Sequence, residues 1–196
     1  MEITATIPLF PLKTVLFPGG FLPLRVFEPR YLDMVSDCLK QDRGIGVVLI
    51  TEGSETGDAA NTHEIGTVAG IDYWHKRPDG LLGVTLLGEK RFKILKREVQ
   101  SNQLIIAEVE WLPEASEQPV DSEHQLLVDL LQQIVSQLDP PFTKLKPNYD
   151  SANWVSARLV ELLPLKLTEK QKLLMLDDIE KRMENITRLL HELDIL

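Results

Sequence analysis

Cysteine is nearly absent. The 196 residues contain one, Cys38, so no intramolecular disulfide forms and the chain suits a reducing compartment. Basic charge is scarce, with 21 Lys and Arg against 30 Asp and Glu, a net charge of −9 and a pI near 5.0. That balance argues against a nucleic-acid binder relying on overall positive charge, which needs clustered Lys and Arg. No apolar run approaches the ~20 residues of a membrane span. Met1–Leu12 has an early Glu2, no basic stretch, and prolines at 8 and 11, which does not read as a secretory leader. These absences predict a soluble, acidic, cytoplasmic protein.

Catalytic signatures are missing as well. There is no G-x-x-x-x-G-K-[ST] phosphate cradle and no G-x-S-x-G nucleophile elbow. His63, His75, His124 and His191 are scattered, with no H-E-x-x-H spacing. Neighbours such as His63-Glu64 point to opposite faces of a strand and share no ligand edge. No metal, cofactor or catalytic residue is predicted.

What is present divides into two textures. Up to about Leu112 the chain shows short runs of Val, Ile and Leu broken by Gly and Pro. Strands are predicted at 6–10, 22–27, 45–51, 65–74, 81–87, 91–97 and 103–111. Pro29 suits the first turn of a helix, where its missing N–H costs nothing, and Tyr31, Met34, Val35, Cys38 and Leu39 form that helix's apolar face. The run Ile45–Thr51 reads as a strand buried on both faces, and Asp79-Gly80 as a hairpin turn. Gly88 allows a bend. Closing these strands into a small barrel removes exposed edges.

The segment Leu112–Glu123 reads as a linker, and the remainder is glycine-free and leucine-rich. Ser122 with Gln125, and Thr168 with Gln171, match capping boxes. Pro140-Pro141 stops the first helix, a second begins near Asp150 or Ser151, and Ile179, Met183, Ile186, Leu190 and Leu193 line a last one. Domains are predicted at 1–115 and 120–196.

Two motifs invite competing interpretations. The basic run Lys90–Arg97, KRFKILKR, has the look of an RNA-contacting strand, but also of an edge strand guarded by its charges; His75–Arg77 would extend such a patch. The opening Pro8–Val35 places five prolines within 22 residues, which suits short strands and fixed turns. There Glu28 precedes a helix N-terminus, where a carboxylate is favoured by about 0.3–1 kcal/mol, and Arg30 can reach it.

PLFPLKTVLFPGGFLPLRVFEPRY, followed by RGIGVVLI, HEIGTVAGI, DGLLGVTLLGEKRFKI and LPLKLTEKQKLLMLDD, resembles the N-terminal substrate-binding domain of the Lon protease family. The resemblance runs over essentially the whole chain. It implies an α+β fold, an N-terminal PUA-like β-barrel with one early helix followed by a C-terminal helical bundle. Related domains in cereblon and RING-finger proteins serve as interaction modules. Full Lon chains continue into an ATPase and a Ser–Lys protease module, and neither is in these 196 residues. The implied role is non-enzymatic binding of unfolded or extended polypeptide segments, in substrate recognition or as an adaptor to a protein partner. The binding corner is placed at Phe21, Glu28, Arg30, Tyr31, Tyr73 and Trp74. The alternatives are an RNA-binding module using the local basic patch and a self-association adaptor working through the helical half, as monomer or dimer.

Overall fold

The computed structural model describes residues 4–196; Glu2, weighed above, lies outside the described residues. The chain forms two compact units, one ending at Pro113 and one running from Glu114 to Leu196.

The first unit carries β1 (Thr4–Leu12), β2 (Phe21–Val26), α1 (Pro29–Gln41), β3 (Ile45–Glu52), β4 (Asn61–Thr62), β5 (Ile65–Lys76), β6 (Leu82–Val99) and β7 (Ile105–Trp111). Pairing runs β1–β7–β6–β5–β3, and a parallel β1–β3 pair closes the circuit. It is not a clean barrel, because β2 and β4 hang outside the ring on β6 and β3. Every residue from Ile7 to Leu12 is buried. Ile7 and Leu9 face inward with Val48, Val68, Phe92 and Val109. Phe10 and Leu12 face α1, against Tyr31, Met34, Val35 and Cys38. Burial on both faces explains why these strands read as continuous apolar runs rather than alternating ones.

Three expectations are corrected here. β6 is one strand from Leu82 to Val99, not two separated at Gly88. Glycine is needed there because a Cβ would collide with the Phe17 carbonyl oxygen, next to a register shift at Glu89 in the pairing with β5. The basic run Lys90–Arg97 is an edge only in part: Phe92 and Lys93 pair with both β5 and β7, whereas Lys96 and Arg97 pair with β7 alone. Leu39 lies off the buried face of α1 and is exposed.

The second unit contains α2 (Gln125–Val135), α3 (Ala152–Leu162), α4 (Leu167–Met175) and α5 (Ile179–Glu192), with short 3-10 turns at Ser122–His124 and Phe142–Lys144. α3 packs against the other three and is buried on most of its circumference, as a central helix must be. Its buried Arg158 places Nε 2.8 Å from Glu161 Oε2. Neither predicted capping box forms. Ser122 sits in a 3-10 turn and donates to Asp121 Oδ1, and Thr168 is already inside α4, where Gln171 is buried. The side-chain caps are Ser151, accepting from Trp154 N, and Asp178, accepting from Lys181 N. The predicted linker is partly docked: Ser151 Oγ donates to Glu117 Oε2, Ala152 N to Gln118 O, and Val120 N to Asp150 O.

Candidate functional site

β2 leads directly into the helix-starting Pro29, so the β2–α1 corner is short and stiff. Glu28 is the residue before α1, and its side chain caps no backbone N–H. It turns to Arg30 instead, Oε2 lying 3.0 Å from Nε. Arg30 is almost wholly buried. Its Nη1 donates to Gln103 O at 3.0 Å, and its guanidinium carbon lies 4.6 Å from the centre of the Tyr31 ring, within cation–π range. Tyr31 stacks on Phe10 with centroids 4.3 Å apart. Gln103, in the left-handed region at φ 69°, also accepts from Ala59 N through Oε1. The Glu52–Ala60 loop, α1 and the turn before β7 are thereby tied together.

In front of this cluster lies an open groove of about 280 Å³. Phe10, Leu12, Pro23, Leu24, Val26 and Phe27 supply apolar lining, and Arg25, Glu28, Tyr31, Glu55 and Thr56 supply the polar part. Burial raises the Tyr31 phenol above its ordinary 10.0; Arg30 opposes that shift, and the carboxylates of Glu28 and Glu55 add to it. Charges of both signs line the groove, Glu28 and Glu55 together with Arg25. Glu28 Oε1 is occluded and without a hydrogen-bond partner, a state that costs about 1–3 kcal/mol.

The six predicted site residues do not form one surface. In the β2–β6–β5 ribbon, Pro23, Thr85 and Tyr73 share a row, as do Leu24, Val84 and Trp74. Neighbouring rows face opposite ways. Trp74, 56% exposed, thus lies on the groove's side of the ribbon with Leu24. Phe21 and Tyr73 lie on the other side, where Tyr73 stacks on His75 at 5.4 Å. Glu28 and Tyr31 line the groove, and Arg30 lies behind it. Reasoning from sequence missed Phe10, Leu12, Leu24, Phe27 and Glu55, because apolar strand residues carry no mark of which face stays open and Glu55 lies between the strands predicted at 45–51 and 65–74.

Three cations of the basic run are engaged with the protein's own structure, while Lys93 and Lys96 are exposed. Lys90 lies 4.1 Å over the Trp111 ring, Arg91 is buried and donates to Pro113 O, Arg97 donates to Thr62 O and His63 O, and Phe92 is core. The aromatic needed to stack a base is therefore unavailable. His124 meets Glu180 at 2.8 Å and His191 meets Leu196 O at 2.9 Å. Among the described residues no group of three or more His, Cys, Asp or Glu is placed to hold a metal. No helix of the structure is long and apolar enough to cross a membrane.

A mixed β-ring with an apolar groove, followed in the chain by a helical unit, defines a domain of the Lon N-terminal type. The chain matches the family model described as ATP-dependent protease La (LON) substrate-binding domain over residues 6–192, and it belongs to that family. It is similar to the Lon proteases of Flavobacterium johnsoniae, 29% identical, and Cytophaga hutchinsonii, 30% identical, each alignment covering 92% of this chain. The chain spans 23% of the length of those relatives. Among solved structures, a Lon N-terminal domain protein from Xanthomonas campestris has a TM-score of 0.78 at 35% identity, covering 94% of this chain and 98% of its own. The N-terminal domain of a Mycobacterium avium complex Lon protease has a TM-score of 0.63 at 16% identity, covering 93% and 96%, and shares the fold.

Proposed function

We propose that this chain binds unfolded or extended polypeptide segments without acting on them chemically, in substrate recognition or as an adaptor in the cytoplasm. The observation that carries this reading is the apolar groove lined by exposed Phe27, with exposed Trp74 on the same face of the ribbon as Leu24, in a domain of the Lon substrate-binding family. Exposed aromatics supply large contact area, and their burial on binding drives association. Glu28 and Tyr31 contact the ligand, and Arg30 holds both in place. Phe21 and Tyr73 form a secondary contact on the opposite face of the ribbon. ATP use and peptide-bond cleavage, the work of a whole Lon protease, belong to other modules.

The test is fluorescence anisotropy with a labelled polypeptide, reduced and carboxymethylated so that it stays unfolded, against its folded parent. The unfolded form is expected to bind at micromolar to millimolar Kd, about −4 to −8 kcal/mol, and more weakly to Trp74→Ala and Phe27→Ala. Equal binding of folded and unfolded forms, or none, overturns the reading.

A further inference from the structure

One wall of the groove is built differently from the rest. Phe10 and Leu12 lie on β1, residues 23–26 on β2, Phe27 and Glu28 in the two-residue corner, and Tyr31 on α1. Glu55 and Thr56 belong instead to the segment that joins β3 to β4. From 53 to 58 that segment is exposed except for half-buried Glu55, and among the described residues no backbone–backbone hydrogen bond ties it to another element. Thr56 N donates to Ser54 Oγ at 3.4 Å, a bond internal to the segment. Its outward hold is the Lys13 amide, which donates to Glu55 Oε1 at 2.6 Å. The return to β4 is anchored separately, by Ala59 N donating to Gln103 Oε1 at 3.2 Å and by buried Ala60. Gly53 and Gly57 sit at φ 104° and 85°, where a side chain is strained. A Cβ at Gly57 would meet no atom within 4 Å, so backbone conformation alone asks for glycine there. With so few buried contacts, such a segment is the low-stability part of its unit.

We propose that residues 53–58 are a flap that gates the groove, turning about Gly53 and Gly57 and latched by Glu55 on the Lys13 amide. This rests on the polypeptide-binding reading above and specifies how the groove admits a segment. At about 280 Å³ the groove falls below the ~300–1,000 Å³ usual for sites that enclose a ligand, too little for several side chains of an extended segment. β1 and β2 are held by their ladders and α1 by its core face, so the flap is the wall that can swing aside. Relatching over the bound segment brings Glu55 and Thr56 against it.

Stopped-flow association of the labelled, carboxymethylated polypeptide with the full chain tests it. Loss of an ordinary contact speeds dissociation and leaves association unchanged, whereas a loosened gate speeds association. Glu55→Ala is expected to associate about tenfold faster, since it removes a charged hydrogen bond. Gly57→Ala, which is not among the groove's lining residues, is expected to associate about fivefold faster, because a side chain strains the latched conformation. The double variant Lys13→Cys with Glu55→Cys, oxidised to a disulfide, is expected to associate about tenfold more slowly than wild type and, once reduced, faster than wild type. Cys38 is buried and takes no part. Should the disulfide not form, the two single variants decide. Association unchanged in either single variant, or faster dissociation alone, overturns the gate and leaves polypeptide binding standing. Absence of binding by wild type and every variant overturns both.

Discussion

Two glycines meet one phenyl ring inside the β-ring, and substituting them separates side-chain crowding from backbone crowding. A Cβ at Gly46 would lie 2.7 Å from Leu9 Cδ2, 2.9 Å from Ile7 Cδ1 and 3.0 Å from Phe92 Cζ. All three are ends of side chains, so Gly46→Ala is ordinary overpacking, at about 1–3 kcal/mol. A Cβ at Gly66 would lie 2.6 Å from Val48 Cγ1 and 2.9 Å from Phe92 Cζ, and would collide with the Val47 carbonyl oxygen. That carbonyl belongs to β3, which pairs with β5 through Val47 and Thr67, so it moves only if the ladder moves. Gly66→Ala therefore costs about 3 kcal/mol or more, beyond the usual overpacking range. Phe92→Leu withdraws the ring from both sites. Combined with Gly46→Ala it is expected to cost less than the sum of the single changes, by about 0.5–1 kcal/mol, whereas with Gly66→Ala the costs add to within about 0.5 kcal/mol. Urea unfolding at unchanged m gives the differences, and hydrogen exchange at the Val47 and Val68 amides assigns them to the first unit. A Gly66→Ala variant as stable as Gly46→Ala, or one restored by Phe92→Leu, refutes the argument.

Other outcomes follow from the same geometry. Arg30→Ala leaves Glu28 half-buried without its cation and removes the bond to Gln103; it is expected to cost about 3 kcal/mol, read by thermal melting, whereas exposed Trp74→Ala stays within about 0.5 kcal/mol. Ser151→Ala deprives Trp154 N of its cap and costs about 1 kcal/mol, seen as faster hydrogen exchange in α3. Asp178 has its carboxyl held below its ordinary 3.8, chiefly by the hydrogen bond from Lys181 N. Because the folded value is the lower one, its contribution is fully present above the unfolded value and is lost as pH falls through the folded value. The stability difference between wild type and Asp178→Ala is therefore expected to shrink below pH 4 in acid-unfolding curves, and a difference independent of pH contradicts the cap.

Local chemistry was legible in the residues themselves. Pro29 started α1 and the periodicity carried it to Gln41, Asp79-Gly80 closed the β5–β6 hairpin, and Ser151 capped α3, because each depends on one or two neighbouring residues. The ion pair of Glu28 and Arg30 was legible for the same reason. The two capping boxes failed because a four-residue match carries no information on where the chain first turns, and α2 and α4 start without a side-chain cap. The basic strand is an edge only beyond Lys93, and where it passes between two neighbours was not legible, because strand order is a property of pairing partners far apart in the chain.

Sequence alone determined the family, the α+β composition, the apolar runs that must be buried, and the lack of catalytic motifs. Tertiary structure decided which side of the β2–β6–β5 ribbon faces the groove, and so divided Trp74 from Tyr73. It also brought Phe10, Leu24 and Glu55 from three separate segments to one groove. The physical reason is that a strand's pattern fixes which residues alternate, while the face that ends up covered depends on the helix and loop that the rest of the chain lays against it.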